Sequence, residues 1–342
     1  MPPFSREELL MTGTALAVNA QLANATARES FEVTRRAWDW GYRSAWGAEV
    51  DGPDAFTTLG ALAVSTDYEL GVGVLPVQTR SVFVIGMSAV SMAQLSGGRF
   101  ALGVGASSEV LVSRFGGLPF DKPLTNLREA VEALRPILRG ERSTYDGRYV
   151  RIGGYKTPTP PPAPVPLFLG SLNPRSLRLA GELGDGLCIN QIAPHHVPAM
   201  LDEVRAGAKE AGRELPSDFP VMARLFCLVT DDAPAARAVL KMVFAPYVAT
   251  SVYNRFYRWM GYEEEAEAIA QAAKTKDREA MGKAFSDRIA QDLFVVGTPD
   301  EVVARLREYV EAGVTIPVIA PLAPTADAAA ETLKTIGERW SA

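Results

Sequence analysis

The segment Leu70–Gly105 constrains this chain more than any other stretch. It begins with Leu70-Gly-Val-Gly-Val-Leu75, continues through a helical stretch at Val82–Leu95, and closes with Phe100-Ala-Leu-Gly-Val104. Both outer runs are apolar at consecutive positions, so a strand built from either is buried on both faces, as in a parallel sheet covered by helices. Both runs are spaced by glycine and the second is ended by Gly105, where a ligand can approach the backbone closely. The segment predicts a strand, a helix and a parallel strand.

The same alternation recurs along the chain. Strands are predicted at Thr14–Asn19, Arg43–Ala48, Glu69–Leu75, Arg99–Val104, Leu167–Leu169, Gly186–Asn190, Val221–Val229 and Val314–Ala320. Helices fall between them, among them Ala27–Trp40 ended by Gly41, Pro174–Leu183 with Asn173 as its cap, and a closing helix at Asp327–Arg339. Eight strands alternating with helices define an α/β (β/α)8 TIM barrel, read here as one domain over residues 1–342. A hairpin at Ser143–Ile152 turns at Asp146-Gly147, and the proline-rich Lys156–Pro166 is an extended crossing. Residues 233–290 are mostly helical and far longer than an ordinary connection. This helical insertion between strands seven and eight either packs on the barrel or forms a lid over a substrate pocket.

Composition narrows the class. The net charge is −5 and no basic stripe stands out, which argues against a nucleic-acid partner. Cys188 and Cys227 sit in apolar runs and read as buried thiols, suiting a reducing cytoplasm. The first ten residues, MPPFSREELL, lack the pattern of a signal peptide, and no run is apolar enough to span a bilayer.

In such barrels ligands bind where strands end. Asn19 and Gln21 follow strand one, and Glu49, Asp51 and Asp54 follow strand two. Gln78, Thr79 and Arg80 follow strand three, and Gly105-Ala-Ser-Ser-Glu109 ends strand four. The fifth loop, Gly170-Ser-Leu-Asn-Pro-Arg-Ser176, is the best anion site, because it combines hydroxyls and an arginine with the free N–H groups of a helix start. Its plainer reading is a capped helix. Glu49 either orients a ligand and donates a proton, or pairs with an arginine at the rim. His195 and His196 are adjacent and lack a ligand-spaced partner, so they read as a solvated loop pair and metal binding is not expected. No Walker loop, dinucleotide fingerprint or nucleophile elbow occurs.

Four motifs in order carry a family resemblance: Gly71-Val-Gly-Val-Leu-Pro76; Leu95-Ser-Gly-Gly-Arg-Phe-Ala-Leu-Gly-Val-Gly105; Pro166-Leu-Phe-Leu-Gly-Ser-Leu-Asn-Pro174 with Ala180-Gly-Glu-Leu-Gly-Asp-Gly186; and Val296-Gly-Thr-Pro-Asp-Glu-Val302. With them the chain resembles the bacterial luciferase-like superfamily, and within it the branch that uses the deazaflavin coenzyme F-420. The resemblance implies a barrel that binds this coenzyme, or FMN, at its C-terminal mouth. It implies a bulge in strand three with a cis peptide at Gly73–Val74, placed behind the ring. It also implies that Gly105, Ala106 and Ser107 line the cofactor, that Gly170, Ser171, Asn173, Arg175 and Ser176 meet its phosphate, and that Asn190 approaches from strand six. Glu49 falls beside the ring, and Glu109 lies near a loop position that is acidic in some relatives. The two are the catalytic candidates. Val50 stands where sugar-phosphate-oxidising relatives carry histidine, which speaks against the same alcohol oxidation.

The resulting expectation is hydride transfer between coenzyme F-420 and a small, weakly polar organic substrate. The alternatives are a monooxygenase using reduced FMN and oxygen, and a flavin-binding protein without turnover. Family members are commonly dimers, and a homodimer is expected here; Trp38, Trp40 and Tyr42 are either candidate contacts or ordinary core packing.

Overall fold

The computed structural model describes residues 15–50 and 52–341. Thr14, Asp51 and the first ten residues lie outside them. The barrel is formed by β1 (Ala17–Asn19), β2 (Ser44–Gly47), β3 (Glu69–Pro76), β4 (Phe100–Gly105), β7 (Leu167–Gly170), β8 (Gly186–Asn190), β9 (Val221–Val229) and β11 (Ile316–Pro321). These pair in parallel in the order β9-β11-β1-β2-β3-β4-β7-β8, and β8 pairs with β9 to close the ring. The fold is a TIM barrel. All eight expected strands form, because each is largely apolar and a closed parallel ring under helices covers both faces.

Helices α1 (Ala27–Ala37), α2 (Ala55–Ser65), α3 (Val82–Leu95), α4 (Pro123–Leu138), α5 (Pro174–Leu183) and α6 (Val197–Glu210) follow successive barrel strands. Their starts are fixed by side chains. Thr26 and Glu29 form a capping box on α1, and Asp54 and Ser81 accept from the third residue of α2 and α3. Gly41, at φ 93°, turns the chain out of the short 3-10 extension of α1.

Outside the ring, β5 (Ser143–Asp146) and β6 (Arg151–Tyr155) form an antiparallel hairpin. Asp146 pairs with Arg151, so the turn spans residues 147–150 rather than the two residues Asp146-Gly147. The reason is Glu129 on α4. Its buried carboxylate accepts the N–H groups of Arg148 (3.1 Å), Tyr149 (2.7 Å) and Val150 (3.0 Å), and it needs a wider loop to do so.

Between β9 and β11 lie α7 (Ala233–Val248), α8 (Ser251–Trp259), α9 (Glu263–Lys274), α10 (Arg278–Ala284) and α11 (Asp287–Leu293). A strand not anticipated from sequence follows: β10 (Phe294–Gly297) pairs with the C-terminal half of β9 before α12 (Pro299–Glu311) and α13 (Ala326–Trp340) complete the chain. Four residues next to a helix give too short an apolar run to announce a strand. An aromatic seam, Phe226–Phe244–Phe294–Phe285, joins the insertion to β9 and β10.

Candidate functional site

The barrel interior is packed below the mouth. Ala17, Trp46, Ala101, Phe168, Cys188, Met222, Ile316 and Val318, from seven different strands, form a core of their own. Trp46 and Phe168 meet edge to face at 5.4 Å. The glycines of β3 make room for this floor. A Cβ on Gly71 would lie 2.5 Å from the Trp46 ring, and one on Gly73 only 1.8 Å from Met222 Cε. Cys188 and Cys227 are both buried and free.

The next level up is the wall of the site. The Gly73–Val74 peptide is cis, and the β3–β4 register shifts between Val72 and Leu75. The bulge turns Val74 inward, over the ends of two neighbouring strands. A Cβ on Gly105 or on Gly170 would each lie 2.8 Å from a Val74 methyl. These two glycines thus do the same thing. They end β4 and β7 without side chains, and Val74 lies against both. Ala106 follows, and its carbonyl accepts from Gln78 Nε2 at 3.0 Å. Ser107 adopts a left-handed backbone (φ 61°). Ser107 Oγ and Gln78 Oε1 are buried without a hydrogen-bond partner among the described residues.

Glu49 lies beside this wall, and its N–H donates to the Val74 carbonyl at 3.1 Å. Its carboxylate is held by Arg80, with Nε at 3.1 Å and Nη2 at 2.6 Å. The same guanidinium also binds Asp54, the cap of α2. The plainer expectation for Glu49, an arginine at the rim, is therefore what its side chain does here. Burial raises the Glu49 pKa more than Arg80 lowers it, and the nearby Asp54 raises it further. Asp54 is also pushed up by burial, but its bonds to Thr57, Glu49 and Arg80 leave it below the usual range. Of the two carboxylates, Glu49 is the one that takes a proton first. Glu109 is exposed at the start of a π-helical turn, Val110–Phe115, and makes no ion pair among the described residues. Val50 is exposed at the same rim.

The fifth loop is tied up internally. Ser171 Oγ donates to the Ser176 carbonyl (2.9 Å), and Ser176 Oγ donates to the Asn173 carbonyl (2.8 Å) and accepts its N–H (3.2 Å). Arg175 is exposed. The insertion reaches over this side. Asn173 Nδ2 points to the Val252 carbonyl (3.5 Å), Asn190 Nδ2 to Tyr253 Oη (3.4 Å), and Tyr257 Oη donates to Gln191 Oε1 (3.1 Å). Helix α8 therefore sits against the ends of β7 and β8.

The two histidines do not form a solvated pair. His195 is exposed, but His196 is buried. Its Nδ1 accepts the Ala193 N–H (3.2 Å) and its Nε2 lies 3.1 Å from the Met260 carbonyl, so the proton resides on Nε2. Burial, with His195 alongside, lowers its pKa to about 4. His196 is thus a neutral pin between the barrel and the insertion. Among the described residues no group of three or more His, Cys, Asp or Glu is arranged to hold a metal.

Arg224 belongs to the mouth although no motif marked it. It follows Met222 by two residues on β9 and so shares its inward face, in register with Asn190 and Val318. Period-two inference could have found it, since an arginine inside an apolar strand is otherwise unfavourable.

A closed parallel barrel with its polar groups gathered at the C-terminal mouth defines a (β/α)8 enzyme. The chain belongs to the luciferase-like monooxygenase family, whose model matches residues 9–315. It is 34% identical over 289 residues to the 5,10-methylenetetrahydromethanopterin reductase of Methanolobus tindarius, covering 83% of this chain and 86% of that one. It is 28% identical over 309 residues to a putative coenzyme F-420-dependent oxidoreductase of Mycobacterium tuberculosis, covering 84% and 89%. Its fold matches that of the coenzyme F-420-dependent tetrahydromethanopterin reductase of Methanopyrus kandleri, with a TM-score of 0.79, 24% identity and coverage of 95% and 98%. No helix among the described residues is long and apolar enough to cross a membrane.

Proposed function

We propose that this enzyme binds coenzyme F-420 at the barrel mouth and transfers a hydride between it and a small, weakly polar organic substrate. Two relatives carry F-420 dependence in their names. The observation in this chain that carries the reading is the pair of buried unpartnered oxygens, Ser107 Oγ and Gln78 Oε1, beside an uncharged wall made by Val74. Buried polar atoms of this kind are completed in folded proteins by an ordered water or a bound group, and these two stand just beyond the ends of β3 and β4. A planar ring with polar edges fits that cradle.

When bound, the deazaflavin supplies the hydride donor or acceptor. Val74, Gly105 and Gly170 present a flat apolar face to it, and Ser107 and Gln78 meet its polar edge. Arg175 and the N–H groups at the start of α5 hold its phosphate. Glu49, with its raised pKa, holds or releases a proton at its carboxylate oxygen, while Arg80 fixes its orientation. The insertion over β7 and β8 keeps water from the mouth.

Titrating purified protein with F-420 and separately with FMN, followed by absorbance, tests the reading. The expected outcome is saturable binding of F-420 with weaker or no retention of FMN. Retention of FMN with no F-420 binding sinks it in favour of the monooxygenase alternative.

A further inference from the structure

Gln21, just beyond β1, carries a side-chain amide with both ends in use. Its Oε1 accepts the Ala48 N–H (2.6 Å), and its Nε2 donates to the Pro53 carbonyl (2.5 Å). A carboxylate cannot donate and a hydrocarbon can do neither, so an amide is what these two backbone sites select. Gln21 is itself anchored. Asn19 Nδ2 donates to the Gln21 carbonyl, and the Ala20 N–H donates to the Trp46 carbonyl (2.8 Å). Ala48 and Pro53 immediately precede Glu49 and Asp54, the two carboxylates that share the Arg80 guanidinium. The Glu49 N–H is held in turn by the Val74 carbonyl (3.1 Å). One amide from the end of β1 therefore ties together the chain points that carry both acids, while their shared cation arrives separately from beyond β3. Arg80 and Asp54 are the charged groups that act on Glu49.

Resting on the proposed function, we infer that Gln21 is a positioning residue: by tying Ala48 to Pro53 it keeps Asp54 close enough to Glu49 that the two must share Arg80, which leaves Glu49 able to hold a proton for the reaction. Glu49 alone with Arg80 would form a full ion pair and stay charged. With Asp54 on the same guanidinium, two carboxylates compete for one cation. The upward shift of Glu49, from burial and then from Asp54 against the pull of Arg80, agrees with that arrangement. Releasing the tie frees Glu49 either to take the whole guanidinium or to move into water, and both changes lower its affinity for a proton.

Carbon-13 NMR of the full chain, with glutamate labelled at the side-chain carboxyl and Glu49 assigned through Glu49→Gln, follows this group directly and needs neither cofactor nor substrate. Gln21→Met keeps the length of the side chain and removes both bonds. The Glu49 midpoint should then fall by about half a pH unit or more, a roughly threefold loss of proton affinity. The same change made together with Asp54→Asn, which preserves the helix cap, should move the midpoint by less than about half as much, because Gln21 acts through Asp54. A general loosening of the mouth would add in full instead. Gln21→Asn keeps the amide but is too short to reach both backbone sites; it should reproduce the fall, and it carries the test if Gln21→Met does not fold. A Glu49 midpoint unmoved by the substitution, or an equal shift with and without Asp54, overturns the inference. Absorbance titration with F-420 separates this from the cofactor reading. If F-420 does not bind but Gln21→Met still shifts Glu49 through Asp54, the role of Gln21 stands and only the cofactor reading fails. If F-420 binds and the midpoint does not move, the reverse holds.

Discussion

Two carboxylates in different parts of the molecule show how burial alone does not decide what an acid does. Glu129, on α4, is surrounded by three backbone N–H donors that hold it below the usual carboxylate range despite its burial. Glu49, at the mouth, has one arginine shared with Asp54, and burial leaves it above that range. Fixed dipoles aimed at a charge make an acid structural. A partly satisfied acid that keeps the option of a proton is suited to chemistry.

The sharpest way to break this comparison is to neutralise each acid. Glu129→Gln turns a shared acceptor into a donor facing three N–H groups and should cost about 3 kcal/mol in urea unfolding, with little effect on F-420 affinity. Its folded pKa is depressed, so its stabilisation is present above the unfolded value and is lost as pH falls through the folded one. The variant should show a shallower loss of stability below about pH 4.5. Glu49→Gln should do the reverse: turnover falls by about a hundredfold and the loss of activity as pH rises through the Glu49 pKa disappears, while stability changes by less than about 1 kcal/mol. Equal stability losses in the two variants would erase the distinction.

Gly105→Ala sharpens the description of the wall. Its Cβ would press on Val74 at 2.8 Å, which should weaken F-420 binding severalfold and cost about 1–2 kcal/mol. The smallest expected effect concerns His196. Its folded pKa of about 4 lies below the ordinary histidine value of 6.5, so it folds neutral. Protons favour the unfolded chain between those values. Stability is full above about pH 6.5 and declines toward pH 4, and His196→Gln should flatten that slope in thermal melts.

Much of the fold was legible because the signal is local. Val221–Val229 and Val82–Leu95 form over the residues their apolar runs mark. The hairpin turn was not legible, because the carboxylate that widens it comes from Glu129, some twenty residues earlier on another element. The glycines after β4 and β7 stood out, but not their reason, since Val74 reaches them only through the bulge of β3. His196 read as solvated because nothing near it in sequence says that Met260 will cover it.

By itself the sequence determined the barrel, the family and the loops that form the mouth, because apolar periodicity, glycine spacing and capping residues act over a few positions. Only the tertiary structure decided which side chains face one another there. It gave Glu49 to Arg80, set Val74 between two glycines, and brought Asn190 to Tyr253. Those pairings join strands and helices distant along the chain. Their energies depend on burial and shared partners, which exist only once the ring has closed.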